Sequence, residues 1–382
     1  MRRGVRSRRH QTGQYAARQA RRVPRPAHRG GGCDRRGWPA ANQRRRAGEA
    51  ASSLRRRRQL FVTRRGGFRG LLAAPQPVRQ GRKAALRRQG GRHRQRCRRG
   101  GGFDPADFTY RLAATFTKPG VYTPDTDFVA SLIGDREVLD PYTRSAVIAQ
   151  VGFNHMFSEH LSARLFAYGE HARFDDDFGE RDFNTVGFLG GLILDRRDNS
   201  ANATEGYYIE ALADPFFEFN YGNAALRATV EGRVYYGFLE DDLIVAAARL
   251  KLGSVVGSPV DETAPDKLFF AGGGGSVRGY AYRSIGIPSP EGGVTGGRSL
   301  IEGSAELRAR VTDSIGVVAF ADAGYVAADS FPEFSEDLKV GVGAGLRYIT
   351  GLGPIRLDLA MPLDPGPDDP DVAFYIGLGQ AF

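Results

Sequence analysis

From residue 101 onward the chain contains no cysteine and no tryptophan; Cys33, Cys97 and Trp38 all fall in the first hundred residues. A cysteine-free stretch suits a protein that crosses an oxidising compartment without relying on disulfides. Two lone cysteines far apart in arginine-rich text make no metal-ligand pattern. Long apolar runs are also missing. None exceeds about seven or eight residues, which excludes a membrane-spanning helix of roughly 20. No apolar stretch of about 7–15 residues follows the basic start, so no secretory signal is expected in this segment. Enzyme signatures are scarce too. No Gly-x-Ser-x-Gly elbow occurs. The glycine run Gly272–Gly275 is followed by neither Lys-Ser/Thr nor a helix that a phosphate could cap, which argues against a nucleotide cradle. His155, His160 and His171 stand alone on strand-like text and read as ordinary interior or interface residues, not metal ligands. No catalytic residue, cofactor or metal centre is expected.

What is present divides the chain in two. Residues 1–100 hold 32 basic residues against only Asp34 and Glu49, whereas the remainder holds 22 basic and 41 acidic residues, so the overall +11 describes neither part. Residues 1–102 are Arg, Gly, Gln and Ala with no lasting period and too little apolar surface to offset the entropy of folding. A basic arm for nucleic acid or anionic membranes is one reading. A disordered tail is another. Disorder is the default for this arginine-rich segment, and the abrupt change of character near Phe103 favours out-of-frame or non-native sequence over either alternative. No nucleic-acid partner is expected.

From 103 to 382 the texture is that of strands. Aromatic and β-branched residues alternate with polar ones, as in membrane strands of about 9–11 residues. In Arg298–Val311, the residues Leu300, Gly303, Ala305, Leu307, Ala309 and Val311 are read as one face, and Glu302, Ser304, Glu306, Arg308 and Arg310 as the other. Val340, Val342, Ala344, Leu346 and Tyr348 oppose Lys339, Gly341, Gly343, Gly345 and Arg347. Ile355, Leu357 and Leu359 oppose Arg356 and Asp358. Phe374, Ile376, Leu378 and Phe382 oppose Gly377, Gly379 and Ala381. Thirteen strands are expected, near 107–117, 126–136, 143–157, 160–174, 182–195, 205–217, 223–238, 241–256, 298–311, 314–326, 338–350, 353–363 and 372–382. Short connections alternate with longer ones at 137–142, 175–181, 257–297, 327–337 and 364–371. Tight turns at one end and large loops at the other point to a transmembrane antiparallel β-barrel with a wet interior and a lipid-facing exterior. The terminal Phe382 reads as an aromatic anchor at the membrane edge and as a C-terminal signal for barrel insertion.

Residues 257–297 form the longest expected loop, and a structureless loop of that length is usually functional. Its glycines let the backbone fold back at low steric cost. If the loop enters the interior, Arg278 needs acidic partners, because an unpaired charge there is expensive. Glu306 and Asp322 on the next inward faces are the candidates.

These segments carry a resemblance. Gly275-Ser276-Val277-Arg278-Gly279-Tyr280, Gly296–Leu300, Glu306-Leu307-Arg308 and Phe320–Gly324 resemble the barrel superfamily that includes BamA and the two-partner secretion transporters. Gly343–Tyr348, Gly353–Asp358 and Gly377–Phe382 are similar to the last strands of its TamA branch, the outer-membrane subunit of the translocation and assembly module. The resemblance implies a barrel of 16 strands in the outer membrane of a Gram-negative bacterium, about 13 of them here. It also implies that Val277, Arg278, Gly279 and Tyr280 pin the long loop in the lumen against Glu306, Phe320 and Asp322. A weak seam between first and last strands would admit client strands. About three strands, a signal peptide and POTRA domains are expected to be missing upstream. The implied partners are the lipid bilayer, client outer-membrane proteins of autotransporter type and a TamB-like protein spanning the periplasm. A BamA-like general insertase and a passive porin are the alternatives.

Overall fold

The computed structural model describes residues 109–239, 242–334, 337–351 and 353–382. The readings made for residues 1–102 lie outside them. Within the described residues the strands are β1 (Tyr110–Lys118), β2 (Thr126–Val138), β3 (Tyr142–Met156), β4 (Leu161–Asp176), β5 (Gly179–Asp195), β6 (Gly206–Glu218), β7 (Asn223–Phe238) and β8 (Ile244–Val256). A two-residue pair, β9 (Ile287–Pro288) and β10 (Val294–Thr295), lies inside the long loop. Then follow β11 (Ser299–Arg310), β12 (Ile315–Ala327), β13 (Lys339–Thr350), β14 (Gly353–Pro362) and β15 (Ala373–Leu378).

Thirteen strands form one antiparallel sheet in chain order, with β8 pairing directly to β11 across the loop. The expected all-β architecture is therefore present. No pairing joins β1 to β15 among the described residues. The alternation explains the faces. Val151, Leu165, Phe188, Val234, Leu307 and Leu359 are exposed on the outside. Arg144, Arg249, Glu302, Glu306, Asp322 and Asp358 are buried on the inside. An apolar exterior around a polar, ion-paired interior is the reverse of a soluble protein and fits a wall bathed in lipid. The sheet also curls. Gln380, just after β15, donates from Nε2 to Asn202 Oδ1 at 2.7 Å, and Asn202 lies in the turn between β5 and β6.

Several expectations need correction. The large-loop end is uneven: β2–β3, β4–β5 and β6–β7 are joined by residues 139–141, 177–178 and 219–222 alone. Pairing continues to the tips, as at Asp176↔Gly179, so β4 and β5 reach 16 and 17 residues and outrun the membrane. Only 257–298, 328–338 and 363–372 are long at that end. The long loop is not structureless. Besides β9 and β10 it makes bridges Phe269↔Gly297 and Ala271↔Ile285 and a short 3-10 turn at Val260–Glu262. Leu300 does not share a face with Leu307. A period of two puts it inward with Glu302, where it packs on Val277 and Val326 beneath the loop.

Candidate functional site

The loop between β8 and β11 turns back into the space enclosed by the sheet. Val255, Phe269, Ala271, Val277, Tyr280, Ile285, Leu300 and Val326 form a buried cluster between loop and wall. A loop carrying apolar residues at these positions has nowhere else to bury them, because the exterior side of the wall faces lipid across backbone already paired.

The apolar seat delivers Arg278 to the inner face. Arg278 is 2% exposed. Its Nε and Nη2 donate to Asp322 Oδ2 and Oδ1 at 2.6 and 2.9 Å, a two-pronged pair. Its backbone N–H donates to the same Oδ2 at 3.1 Å. Nη1 reaches Glu306 Oε1 at 2.6 Å and Asp358 Oδ2 at 3.5 Å. The guanidinium lies 3.4 Å from the Phe320 ring centroid. Phe320 opposes Glu306 in the β11–β12 register, so one period of the sheet supplies the aromatic floor and one carboxylate, and Asp322 the other.

The neighbouring residues lock the backbone. Gly279 sits at φ +105°, and a Cβ there would lie 2.8 Å from Met361 C and Pro362 N. Its N–H donates to Tyr375 Oη at 3.1 Å. Tyr280 Oη donates to the carbonyls of Val340 and Asp364, both at 3.2 Å. Gly341 on β13 is bare because a Cβ there would lie 1.9 Å from Arg278 O. Thus one short segment touches β11, β12, β13, β14 and β15 in turn.

A second anchorage holds the other limb. Lys267 Nζ donates to Tyr168 Oη and Asp214 Oδ2, both at 2.9 Å, on β4 and β6. Asp266 pairs with Arg144 of β3 at 3.4 Å. Arg227 Nε of β7 donates to Lys267 O at 2.9 Å and its guanidinium stacks on Phe269. Arg283 donates to Tyr142 Oη. The loop therefore spans the interior from β3–β7 to β11–β15.

Of the residues singled out in the sequence, Val277, Arg278, Gly279, Tyr280, Glu306, Phe320 and Asp322 lie together. Phe382 lies elsewhere. β15 ends at Leu378, Gly379 turns at φ +85°, and Phe382 sits inside, beside Tyr235, Ala203 and the Arg308 guanidinium. The alternation that put it on the lipid face stops with the strand, so the membrane-edge anchor reading is corrected. Asp358, Tyr375, Lys267 and Asp266 were not singled out. The signals for the first two were present: Asp358 alternates inward with Arg356, and Tyr375 falls on the inward face of β15, opposite Asp358.

The sequence matches the Omp85 superfamily domain over residues 85–382. It is 25% identical over 291 residues to the outer membrane protein assembly factor BamA of Nitratidesulfovibrio vulgaris, covering 70% of this chain and 36% of that protein. The chain thus spans about a third of that relative's length. BamA from Haemophilus ducreyi lacking POTRA domains 1–3 superposes with TM-score 0.60 at 17% identity, over 70% of this chain and 61% of that one. CdiB from Acinetobacter baumannii gives TM-score 0.47 at 15% identity over 72% and 52%.

Proposed function

The chain belongs to the Omp85 superfamily, and from that premise we propose that it is an assembly factor that inserts or secretes β-barrel client proteins by strand exchange at its seam. It is a protein of the Gram-negative outer membrane. The observation that carries the proposal is the long loop drawn into the interior and fixed there by Arg278 on Asp322 and Glu306. A water-filled pore does not by itself require a loop held across its lumen by buried ion pairs. The outer edge of β15, unpaired among the described residues, offers backbone donors and acceptors that an incoming client strand can pair with.

Two finer readings divide the superfamily. The motifs Gly343–Tyr348, Gly353–Asp358 and Gly377–Phe382 favour a TamA-like factor with autotransporter-type clients and a TamB-like periplasmic partner. The relative from Nitratidesulfovibrio vulgaris favours a BamA-like general insertase. Phe382 acts in either reading as part of the chain's own insertion signal. The test is reconstitution of the full chain in liposomes with urea-unfolded client barrels of both kinds. Faster folding of an autotransporter barrel alone supports the first reading, and faster folding of all barrels supports the second. No acceleration of any client, together with a large and stable conductance, refutes both in favour of a porin.

A further inference from the structure

Beside the Arg278 site the inner wall carries a cluster of arginines, one of which, Arg308, also donates from Nη2 to Phe382 O at 3.3 Å. Arg278, Arg308, Arg347 and Arg356 face three carboxylates, Glu306, Asp322 and Asp358. All six carboxylate oxygens are already engaged. Asp322 holds both prongs of Arg278. Glu306 accepts from Arg278 through Oε1 and from Arg308 through Oε2. Asp358 accepts from Arg278 through Oδ2 and from Arg347 through Oδ1. Three guanidinium positions remain: Arg347 Nη2 and Arg356 Nε and Nη1 are buried with no hydrogen-bond partner among the described residues.

The two arginines are direct neighbours, since Arg347 opposes Arg356 in the β13–β14 register. Like charges set opposite one another are unfavourable unless something lies between them. Arg356 rests over Gly377 of β15, where a Cβ would come within 2.7 Å of its Nε. Arg347 is 3% exposed and lines a cavity of about 220 Å³ at the short-turn end, with Arg308, Gln380, Asn202 and Thr204 around it. Buried polar hydrogens without acceptors are costly, and the acceptor is missing from the chain itself.

We propose that Arg347 and Arg356 form a seat for a carboxylate at the short-turn end of β13 and β14. A planar two-oxygen group suits the two forked donors left without acceptors. A dianion fits less well, because Glu306 and Asp358 stand within the same cluster. The carboxylate comes either from a small free acid or from the carboxyl end of a polypeptide entering the interior. The inference stands on the arginine cluster and does not require the assembly-factor reading.

The test is proton–nitrogen correlation NMR of the arginine Nε–Hε groups in the full chain in detergent micelles, at constant ionic strength. The expected result is a saturable shift of the Arg347 and Arg356 signals on adding acetate, with the Arg347 shift lost in Arg356→Gln. A short peptide with a free C-terminus should produce the same shift if the source is a polypeptide, and its amidated twin should not. If only acetate acts, the seat takes small acids. Equal shifts with chloride or phosphate, or no saturable shift, overturn the proposal. Should Arg356→Gln lose heat-modifiable migration, Arg356→Lys serves instead. It keeps the charge without the fork and should weaken acetate binding about tenfold; unchanged binding in that variant would count against the seat.

Discussion

At the scale of single residues the site is dominated by Arg278. Its charge is enclosed by two close carboxylates and one aromatic face, with almost no water in contact. Arg278→Glu would leave Asp322, Glu306 and Asp358 buried beside a fourth like charge. Breaking a buried pair costs on the order of 3–5 kcal/mol, so the variant should lose heat-modifiable migration or unfold at clearly lower urea. Arg278→Lys keeps the charge but not the fork and should lose less. Identical urea midpoints for wild type and Arg278→Glu would refute the pinning role. Gly279→Ala tests the backbone lock. At φ +105° with Met361 and Pro362 against its Cα, any side chain forces the loop off β14. The strain is on the order of 1–3 kcal/mol and should read out as new protease cleavage within 257–298. The contacts of Arg278 with Glu306, Phe320 and Asp322 were legible because a period of two fixes which side chains look inward. Asp358 was not legible as a partner. Its role depends on how deep the loop reaches, and depth is set by packing across five strands. Phe382 was misread because one glycine after β15 ends the alternation.

At the scale of elements, strands were readable to within a few residues, since each carries its own alternation of exposed and buried side chains. The loop was harder. Its length and glycines announced a special segment, but its second anchorage on Lys267 links residues 53 and 99 positions apart. No local period encodes such a distance. Lys267→Met would strip Asp214 of its cation and free the limb that Arg227 and Arg144 flank. A cost of about 3 kcal/mol is expected from urea unfolding. Because both anchors tether one loop, Lys267→Met and Arg278→Lys should not add. A double-mutant cycle should give a coupling of roughly 0.5–3 kcal/mol, and strict additivity would mean the two anchors act separately. The turn joining β5 and β6 supplies a pH test. Burial raises the Asp198 carboxyl, but the backbone N–H groups of Glu205 and Thr204 and the Thr204 hydroxyl outweigh it and hold its pKa below the ordinary value. A depressed folded pKa stabilises above the unfolded pKa and is lost as pH falls through the folded one. Amide exchange at Thr204 and Glu205 should therefore lose protection in acid below the usual aspartate range, and the Asp198→Asn variant should lose most of that pH dependence.

At the scale of the whole molecule, the apolar exterior and charged interior were visible in the strand text. The curvature was not, because curl arises from accumulated twist between neighbouring strands and not from any one of them. Curl brings the floor and the crossbar together. The turn 196–205 meets Gln380 at the short-turn end, while the loop spans the middle from Lys267 to Arg278. The interior of this sheet is thus obstructed twice, and an ion crossing it must pass between paired charges in a narrow space. Planar-bilayer recordings of the wild type should show small, brief current steps. The Lys267→Met, Arg278→Lys double variant releases both ends of the crossbar while leaving every strand pairing intact, so its steps should become several-fold larger. Larger steps need no loss of the sheet, which far-ultraviolet circular dichroism on the same sample would verify. Equal conductance in both proteins would mean that the loop does not close the path, and the obstruction would then have to lie at the Asn202–Gln380 floor.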